Sequence, residues 1–291
     1  MRYYVSTSES SINRNSLPFR LFEKAKKLGT WDPQDIDFSK DREDWESLTP
    51  VQRDQILQLI AFFYSAEEAV THDILPLIYA ISKSGRLEEE MYLTTFVFEE
   101  AKHIDFFNLL LQNLGIKRDL NSYHTPVYRK LFDEILPETM GRLMHDQSPK
   151  ALADACITYN LFAEGVLAET GYWAFYESLK KIDKMPGLIS GIQHIQRDES
   201  RHIGFGTYIL QRLISEDSEM LDYSLKKLQE LMPIAIEMNN TLRPDEVSAF
   251  GIKKTDGAAY MMRQLNARIE VLKRAKGKTI EEIYKMDVGM E

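Results

Sequence analysis

The stretch FVFEEAKHIDFF, residues 96–107, reads as the middle of an apolar helix, yet it contains two glutamates, a histidine and an aspartate. Within it, Glu100 and His103 are three residues apart, so a helix would point both side chains in nearly the same direction. The stretch DESRH, residues 198–202, repeats that spacing with Glu199 and His202 inside a second apolar helix. One such pair is common by chance. Two pairs, each offering a carboxylate oxygen and an imidazole nitrogen to one point, predict a buried metal site.

Two further predicted helices each place one carboxylate among apolar residues. These are Glu67 in FFYSAEEAVTHDIL and Glu164 in ITYNLFAEGVLAETGYW. The order is then Glu, Glu-x-x-His, Glu, Glu-x-x-His, with 100 − 67 = 33 and 199 − 164 = 35, one helix plus one loop in each half. This constellation is typical of helical bundles that bind two iron or manganese ions through carboxylates. Two divalent cations would offset four carboxylates that are costly to ionise in a dry core.

The other acids and histidines of these helices have plainer interpretations. Glu68 is the main alternative to Glu67 as a ligand. Asp198 precedes Glu199 and is expected to hold the second nitrogen of His103, because ligand histidines usually need such a partner. We expect three acids to be solvated or salt-bridged and four histidines to be ordinary surface or core residues. The acids are Glu99, Asp73 and Glu169, and the histidines are His72, His124, His145 and His194.

The composition limits the kind of partner and compartment. The chain has 291 residues and a net charge of −9, and its sequence has no cluster of lysine and arginine. The acidic charge and the lack of a basic cluster argue against a nucleic-acid partner. Cys156 is the only cysteine, so no internal disulfide can form and a cytoplasmic location is expected. No uncharged apolar run approaches the roughly 20 residues that span a bilayer. The first residues lack the apolar core of a signal peptide.

Long helices and almost no strand pattern predict an all-α fold. The segment from Thr49 to Gly85 opens with a threonine N-cap, a proline at the first helical position and a capping-box Gln52. Pro76 should kink this helix, since a proline lacks the amide hydrogen. A second helix should end at Gly115. With the helices that carry Glu164 and Glu199, the chain has four helices long enough to form a bundle.

The remaining segments predict one domain over residues 1–291. Residues 1–48 read as an irregular arm with one short helix, SLPFRLFEKAKKLG. Residues 122–144 read as a helical piece interrupted at Pro126 and Pro137. Residues 276–291 read as a short amphipathic tail that docks on the bundle.

The order Glu67, EEAKH, Glu164, DESRH resembles the small, radical-generating subunit of class I ribonucleotide reductase, from about Trp31 to Leu213. Trp31 lies where that family has a tryptophan behind the metal site. The tyrosyl-radical members carry a tyrosine four residues after the first ligand histidine, where this chain has Phe107. A metal-based radical subclass also lacks this tyrosine, so Phe107 alone does not exclude a reductase subunit.

The pairing of Glu67-x-x-Val70 with Tyr159-x4-Glu164 is similar to the ligand-binding oxidases related to that subunit. The resemblance implies a ferritin-like four-helix bundle with additional helices, and a homodimer. It implies a manganese/iron pair that activates dioxygen, with a di-iron pair as the alternative. A long-chain fatty acid or similar hydrophobic ligand would bind at the metals, and Tyr159 and Val70 would form an ether cross-link.

The same resemblance implies a ligand set for each metal. Glu67, Glu100 and His103 would hold manganese. Glu164, Glu199 and His202 would hold iron.

The spacing of Tyr159 and Glu164 poses a geometric problem. Five residues of a regular α-helix turn by about 140° beyond a full turn, so these side chains should not share a face. A one-residue π-bulge would largely bring them together, and such bulges are frequent at functional sites. We therefore predict an irregular helix within residues 159–165, with Asn160 and Gly165 as tolerant positions.

Three other functions stay open from sequence. A reductase radical subunit would need a tail with a redox tyrosine, for which Tyr284 is the candidate. An acyl-carrier-protein desaturase would share the DESRH motif but give the Tyr159/Val70 pair no role. A non-enzymatic iron store or structural bundle would be expected to load many irons or none.

Overall fold

The chain folds into long helices that are joined by short turns. The computed structural model describes residues 4–8, 11–242 and 245–285. In chain order the helices are α1 Leu17–Leu28, α2 Ser39–Ser47, α3 Pro50–Ser84, α4 Leu87–Asn113, α5 Pro126–Arg129, α6 Leu136–Gly141, α7 Pro149–Cys156, α8 Glu169–Leu179, α9 Pro186–Glu216, α10 Glu219–Leu242, α11 Lys254–Lys273 and α12 Ile280–Tyr284. Two π-helical stretches, Lys130–Ile135 and Ile157–Ala168, join α5 to α6 and α7 to α8. Among these residues the only β-pairing is an isolated bridge between Val247 and Lys253.

The ends of α3 follow the sequence signals. Thr49 accepts a hydrogen bond from the Gln52 amide, and the Gln52 side chain accepts one from the Thr49 amide, which completes the predicted capping box. Gly85 closes the helix in the left-handed conformation, with φ of 70°. The α-helix continues through Pro76. Helix α4 ends at Asn113, and Gly115 also has φ of 70°.

Two sequence predictions outside the long helices are wrong in part. Thr125 caps a helix that begins at Pro126, so this proline starts a helix instead of interrupting one. Pro137 does not interrupt the helical segment either, because it lies at the start of α6, directly after a π-helical stretch. At such a junction one amide is free of its usual helical acceptor, so a proline is tolerated.

Residues 1–48 contain a second helix that the sequence analysis missed. Helix α2 is polar, SKDREDWES, and therefore gave no apolar period. Its Asp41 is buried and accepts hydrogen bonds from the amides of Gly187 (2.7 Å) and Leu188 (3.2 Å). Asp44 accepts one from the Met185 amide (2.9 Å). Helix α2 thus caps the amino terminus of α9, where free amides favour an anion.

The helix that carries Tyr159 is π-helical over Ile157–Ala168, which we call the π segment. This confirms the predicted irregularity and extends it beyond residues 159–165. An i→i+5 turn brings Tyr159 and Glu164 to neighbouring positions on one face. Arg268 of α11 lies against this segment, with its Nε 3.4 Å from the Gly165 carbonyl oxygen, which accepts its hydrogen bond.

Helices α3, α4 and α9 and the helix formed by α7, the π segment and α8 pack around a polar centre. Each side of this centre is an apolar cluster. On α4, Phe96 belongs to one cluster and Phe106 to the other. On α9, Phe205 and Ile195 divide in the same way. The predicted ligands therefore lie between two dry cores, where water has little access.

The carboxyl-terminal region docks as predicted over the part that the structure describes. Ile283 of α12 is fully buried, and the Tyr284 ring stacks on Tyr208 of α9 with centroids 6.1 Å apart. Arg20 of α1 donates a hydrogen bond to the Tyr284 carbonyl oxygen. Residues 286–291 of the predicted tail and residues 1–3, 9 and 10 of the predicted arm lie outside the described residues. None of the described helices is both long enough and apolar enough to cross a membrane.

Candidate metal centre

The six predicted ligands come together in the middle of the bundle. They form two groups, and within each group the potential ligand atoms all lie within 4.8 Å of one another. One group is Glu67, Glu100, His103 and Glu199, and the other is Glu100, Glu164, Glu199 and His202. Glu100 and Glu199 belong to both groups, so each could help to hold either of two ions. Glu68, the alternative to Glu67, is exposed.

Both histidines direct the same nitrogen into the cluster. His103 Nδ1 lies 3.2 Å from Glu67 Oε2 and 3.5 Å from Glu199 Oε1. His202 Nδ1 lies 3.2 Å from Glu100 Oε1 and 3.8 Å from Glu164 Oε1. The two Glu-x-x-His pairs therefore face each other across one small volume, as the i, i+3 spacing predicts.

A carboxylate from the opposite helix holds the outer nitrogen of each histidine. His103 Nε2 lies 3.3 Å from Asp198 Oδ2, as predicted. His202 Nε2 lies 2.9 Å from Glu99 Oε2. Glu99, which its sequence context predicts to be solvated or salt-bridged, is salt-bridged but buried. Sequence reasoning missed its contact with His202.

Two buried cations support these outer carboxylates. Arg201 donates hydrogen bonds to both Glu99 and Asp198, and sequence reasoning did not single it out. Lys102 Nζ lies 2.9 Å from Asp198 Oδ2 and donates a hydrogen bond to the Gly29 carbonyl oxygen at 2.6 Å. Gly29 is needed at this point, because a Cβ there would lie 2.0 Å from Glu99 Oε1. The pattern acid-Glu-x-base-His occurs in both EEAKH and DESRH, and this repetition could have revealed the arrangement.

Trp31 lies behind the first histidine, as the resemblance implies. Its Nε1 donates a hydrogen bond to Asp198 Oδ2 at 2.8 Å, and its ring is half-buried. His194, predicted to be an ordinary surface or core histidine, stacks on Trp31 with ring centroids 5.0 Å apart. A chain of contacts therefore runs from the Trp31 indole through the Asp198 carboxylate to the His103 imidazole, which belongs to the cluster.

The electrostatics of the cluster fit a pair of divalent cations. Burial raises the pKa values of Glu67 and Glu164 well above their usual range. Burial disfavours charged imidazoles, but the surrounding carboxylates outweigh it and raise the pKa values of His103 and His202. Four atoms inside the cluster have no hydrogen-bond partner among the described residues, although buried polar atoms normally have one. These atoms are Glu100 Oε2, Glu164 Oε1, Glu199 Oε2 and His202 Nδ1.

The donor set also restricts which ions would fit. It consists of carboxylate oxygens and imidazole nitrogens without a thiolate, which suits manganese and iron. Cations placed between the orphaned atoms would satisfy them and replace the protons that the cluster otherwise retains. The residues present therefore fit a dimetal centre.

Tyr159 reaches the cluster, and its hydroxyl also meets the backbone of Val70. The Tyr159 hydroxyl lies 3.2 Å from Glu100 Oε1 and 3.3 Å from the Val70 carbonyl oxygen. Both side chains are buried. One residue further along the π segment, Asn160 Nδ2 donates a hydrogen bond to Glu164 Oε2 at 3.0 Å.

An apolar cavity opens from the cluster between α3, the π segment, α8 and α10. Val70 lines it together with Glu67, Glu164 and Glu199. Away from the cluster its walls are aromatic and aliphatic, with Phe62, Phe63, Leu167, Met238 and Met261 among them. The cavity can therefore take an apolar molecule whose end reaches the predicted ligands.

The sequence matches the family of the ribonucleotide reductase small chain over residues 20–277. That range contains all six residues of the cluster as well as Trp31 and Tyr159. The chain therefore belongs to the ribonucleotide reductase small-chain family, and its bundle is the ferritin-like all-α fold.

Within this family, similar solved structures are R2-like ligand-binding oxidases. One, with an aerobically reconstituted Mn/Fe cofactor after a long soak, is 38% identical and covers 93% of this chain and 98% of its own, with a TM-score of 0.88. A variant with the same cofactor is 40% identical over 90% of this chain and 98% of its own, with a TM-score of 0.85. Another, reconstituted anaerobically, is 39% identical over 93% and 98%, with a TM-score of 0.88. The chain belongs with these oxidases and is an oxidoreductase.

Proposed function

We propose that the chain is an oxidase that activates dioxygen at a manganese/iron centre formed by the six clustered residues. Glu67, Glu100 and His103 would hold manganese. Glu164, Glu199 and His202 would hold iron. The observation that carries the proposal is the pair of four-residue groups that share Glu100 and Glu199 and leave buried atoms without partners. When bound, the metal pair would supply the chemistry that reduces dioxygen. It would also supply two of the four electrons that this reduction requires.

A long-chain fatty acid or a similar hydrophobic molecule is the proposed ligand. The apolar cavity has carboxylates at its inner end and apolar walls beyond them. A bound carboxylate could share the cations with Glu67 and Glu199 while its chain follows Phe62 and Met238. The apolar walls favour the chain through burial of its surface, and the cations would supply the positive charge that the head group needs.

The same centre is proposed to form an ether between Tyr159 Oη and Val70 Cβ. The Tyr159 O–H bond and the Val70 Cβ–H bond break, one O–C bond forms, and two protons and two electrons leave the chain. These two electrons and the two from the metals, with the two protons from the chain and two more from solvent, reduce one dioxygen to two waters. Glu100 Oε1, 3.2 Å from the phenol oxygen, is the nearest base for the Tyr159 proton. The Cβ–H of Val70 is tertiary and therefore weaker than a methyl C–H.

A reductase radical subunit is the second candidate, because the family match is to the ribonucleotide reductase small chain. Two features favour the oxidase. Phe107 is buried against Phe63 and offers no phenol at the position of the radical tyrosine. Tyr284, the candidate redox residue of the tail, packs on Tyr208 instead of extending toward a partner. Robust nucleotide reduction with a reductase large subunit would favour the reductase function.

A homodimer in the cytoplasm completes the proposal. Leu75 of α3 and Phe98 of α4 are large apolar side chains that are more than half exposed, at 54% and 57%, on adjacent helices. A second copy could cover them. Sedimentation of the wild-type chain and of Phe98→Ser would test this contact.

Metal analysis after anaerobic loading with manganese and iron tests the central proposal. We expect two metals per chain, and one fewer in Glu199→Ala or His202→Ala because each loses a ligand without a nearby substitute. Glu68→Ala is the matched control, since Glu68 is exposed and should leave the metal content unchanged. Unchanged metal content in both ligand variants would show that the site lies elsewhere, and many irons per chain would indicate storage.

A further inference from the structure

The contact between Trp31 and Asp198 presents a hazard for an oxidase of the proposed kind. The indole Nε1 is 2.8 Å from Asp198 Oδ2, and that carboxylate contacts His103 at 3.3 Å. Tryptophan is among the side chains that lose an electron most readily. A half-buried indole this close to a centre that reduces dioxygen could supply an electron in place of Tyr159 and Val70.

Lys102 is held against the same indole. Its Nζ lies 4.4 Å from the centroid of the Trp31 ring. The ammonium group is fixed there by Asp198 Oδ2 at 2.9 Å and by the Gly29 carbonyl oxygen at 2.6 Å, and the residue is buried. A cation over a neutral ring is attracted to it, but the same cation repels a ring that has lost an electron.

The negative charge of Asp198, which would otherwise favour an oxidised indole, is shared among several donors. Lys102 contacts Oδ2, and Arg201 donates a hydrogen bond to Oδ1. Two buried cations therefore face the one carboxylate that touches Trp31. The Coulomb repulsion is strongest in such a place, because little water screens it.

We propose that Lys102 raises the potential at which Trp31 loses an electron, and so reserves the oxidising equivalents for Tyr159 and Val70. This inference rests on the proposed function. Ether formation needs two electrons from the Tyr159/Val70 pair. If Trp31 supplied one electron, the ring would become a radical cation, one bond of the pair would stay unoxidised, and the ether could not form in that turnover.

A plain structural role for Lys102 gives a different expectation. The lysine could simply tie the chain at Gly29 to α4. In that case every substitution of Lys102 that breaks the contact with Gly29 should have the same effect, whether or not it keeps the positive charge. The oxidation of Trp31 should then not depend on the charge at residue 102. Lys102→Met and Lys102→Gln remove the charge, whereas Lys102→Arg retains it, so the three variants separate the two roles.

The test uses the full chain loaded with redox-inert zinc and checked by metal analysis. A flash-generated ruthenium tris(bipyridine) oxidant removes electrons, and peptide mass spectrometry measures oxidised Trp31. Trp45 and Trp173 of the same chain serve as internal controls. We expect oxidation at Trp31 to rise about tenfold in Lys102→Met and Lys102→Gln, the factor that the loss of a buried cation–ring interaction predicts. It should remain at the wild-type value in Lys102→Arg, and the two control tryptophans should not change.

A second arm uses manganese, iron and air. The uncharged variants should yield less linked Tyr159–Val70 peptide and more oxidised Trp31 than the wild type, and Lys102→Arg should recover the wild-type ratio. Equal oxidation of Trp31 in all zinc-loaded proteins would overturn the role of Lys102. Failure of the proposed function would appear differently, as a wild-type protein without any linked peptide.

Discussion

At the residue scale, the centre is built from one five-residue pattern used twice. EEAKH and DESRH each supply a glutamate that belongs to both groups of potential ligands, a histidine, an outer acid and a base. The outer acid of one motif holds the histidine of the other, as Asp198 does for His103 and Glu99 for His202. Each half of the site therefore depends on both helices, and neither motif could form it alone.

The first prediction concerns the ether. Protein loaded with manganese and iron and exposed to air should give a peptide in which residues 70 and 159 are linked, with the loss of two hydrogens. Tyr159→Phe should abolish the link and keep both metals, because the phenol oxygen is not a ligand. Val70→Ala should also abolish it, since alanine has only a stronger primary C–H bond. Digestion and mass spectrometry provide the measurement. If fully metallated, air-exposed wild type has no linked peptide, the reductase subunit becomes the better interpretation.

The second prediction concerns the outer acids. Asp198→Ala and Glu99→Ala should each retain metal but bind it about 10–100-fold more weakly, the usual cost of losing the partner of a ligand histidine. Competition with a chelator measures the affinities, and His202→Ala provides the reference for losing a ligand. If Glu99→Ala bound both metals with wild-type affinity, its contact with His202 would have no role in the site.

Most of the site could be predicted from sequence because its ligands follow helical spacing. Each Glu-x-x-His pair is three residues apart on one helix, and one helix plus one loop separates Glu67 from Glu100 and Glu164 from Glu199. The role of Glu99 was not predicted, although Glu99 has the same place in EEAKH that Asp198 has in DESRH. A carboxylate in that place resembles a surface residue unless the two motifs are compared. Arg201 depends on contacts with both acids, and such contacts appear only when the helices have packed.

At the element scale, α2 and the π segment mark the limits of sequence patterns. The π segment was predictable because Tyr159 and Glu164 could not otherwise share a face, but its twelve residues exceed a single bulge. Helix α2 gave no signal, because it is held by Asp41 and Asp44 against the start of α9 and not by an apolar stripe. Hydrogen bonds of this kind join residues that are far apart in the sequence, so they produce no periodic pattern of apolar residues.

The third prediction concerns Asp41. Burial raises the pKa of its carboxyl group from 3.8 to about 6. Between about pH 4 and 6 the folded protein would keep this proton while the unfolded chain loses it, so stability should fall as pH rises through that window. Asp41→Asn keeps an acceptor for the Gly187 amide but cannot ionise, so its stability should lack this decline. The difference is at most about 3 kcal/mol.

Urea unfolding of Asp41→Asn and of wild type at several pH values measures this difference. The exposed Asp222→Asn is the matched control and should follow the wild type. Parallel curves for wild type and Asp41→Asn would contradict the predicted proton uptake.

At the scale of the whole molecule, the four carboxylates of the proposed ligands lie buried between two apolar clusters. The proposed cations stabilise only the folded chain, because the six ligands come from four helices. Metal binding should therefore contribute directly to the stability of the bundle.

The fourth prediction follows from this linkage. Metal at a thousandfold excess over its dissociation constant should stabilise the chain by about 4 kcal/mol. For a chain of 291 residues, with an unfolding entropy of about 2.1 cal/mol/K per residue, that corresponds to a rise in melting temperature of roughly 7 °C. Calorimetry with and without a chelator measures the shift, and the double variant Glu199→Ala/His202→Ala should lose most of it. An equal shift in that variant would place the stabilising ions at another site.

The π segment also has a genetic consequence. Removing one residue between Tyr159 and Glu164 would return the π segment toward α-helical register and rotate the part before the deletion by about 100°. That rotation would carry Tyr159 away from Glu100 while Glu164 kept its place. A single-codon insertion can therefore add a phenol to a dimetal bundle, and a single-codon deletion can remove it, without the replacement of any ligand.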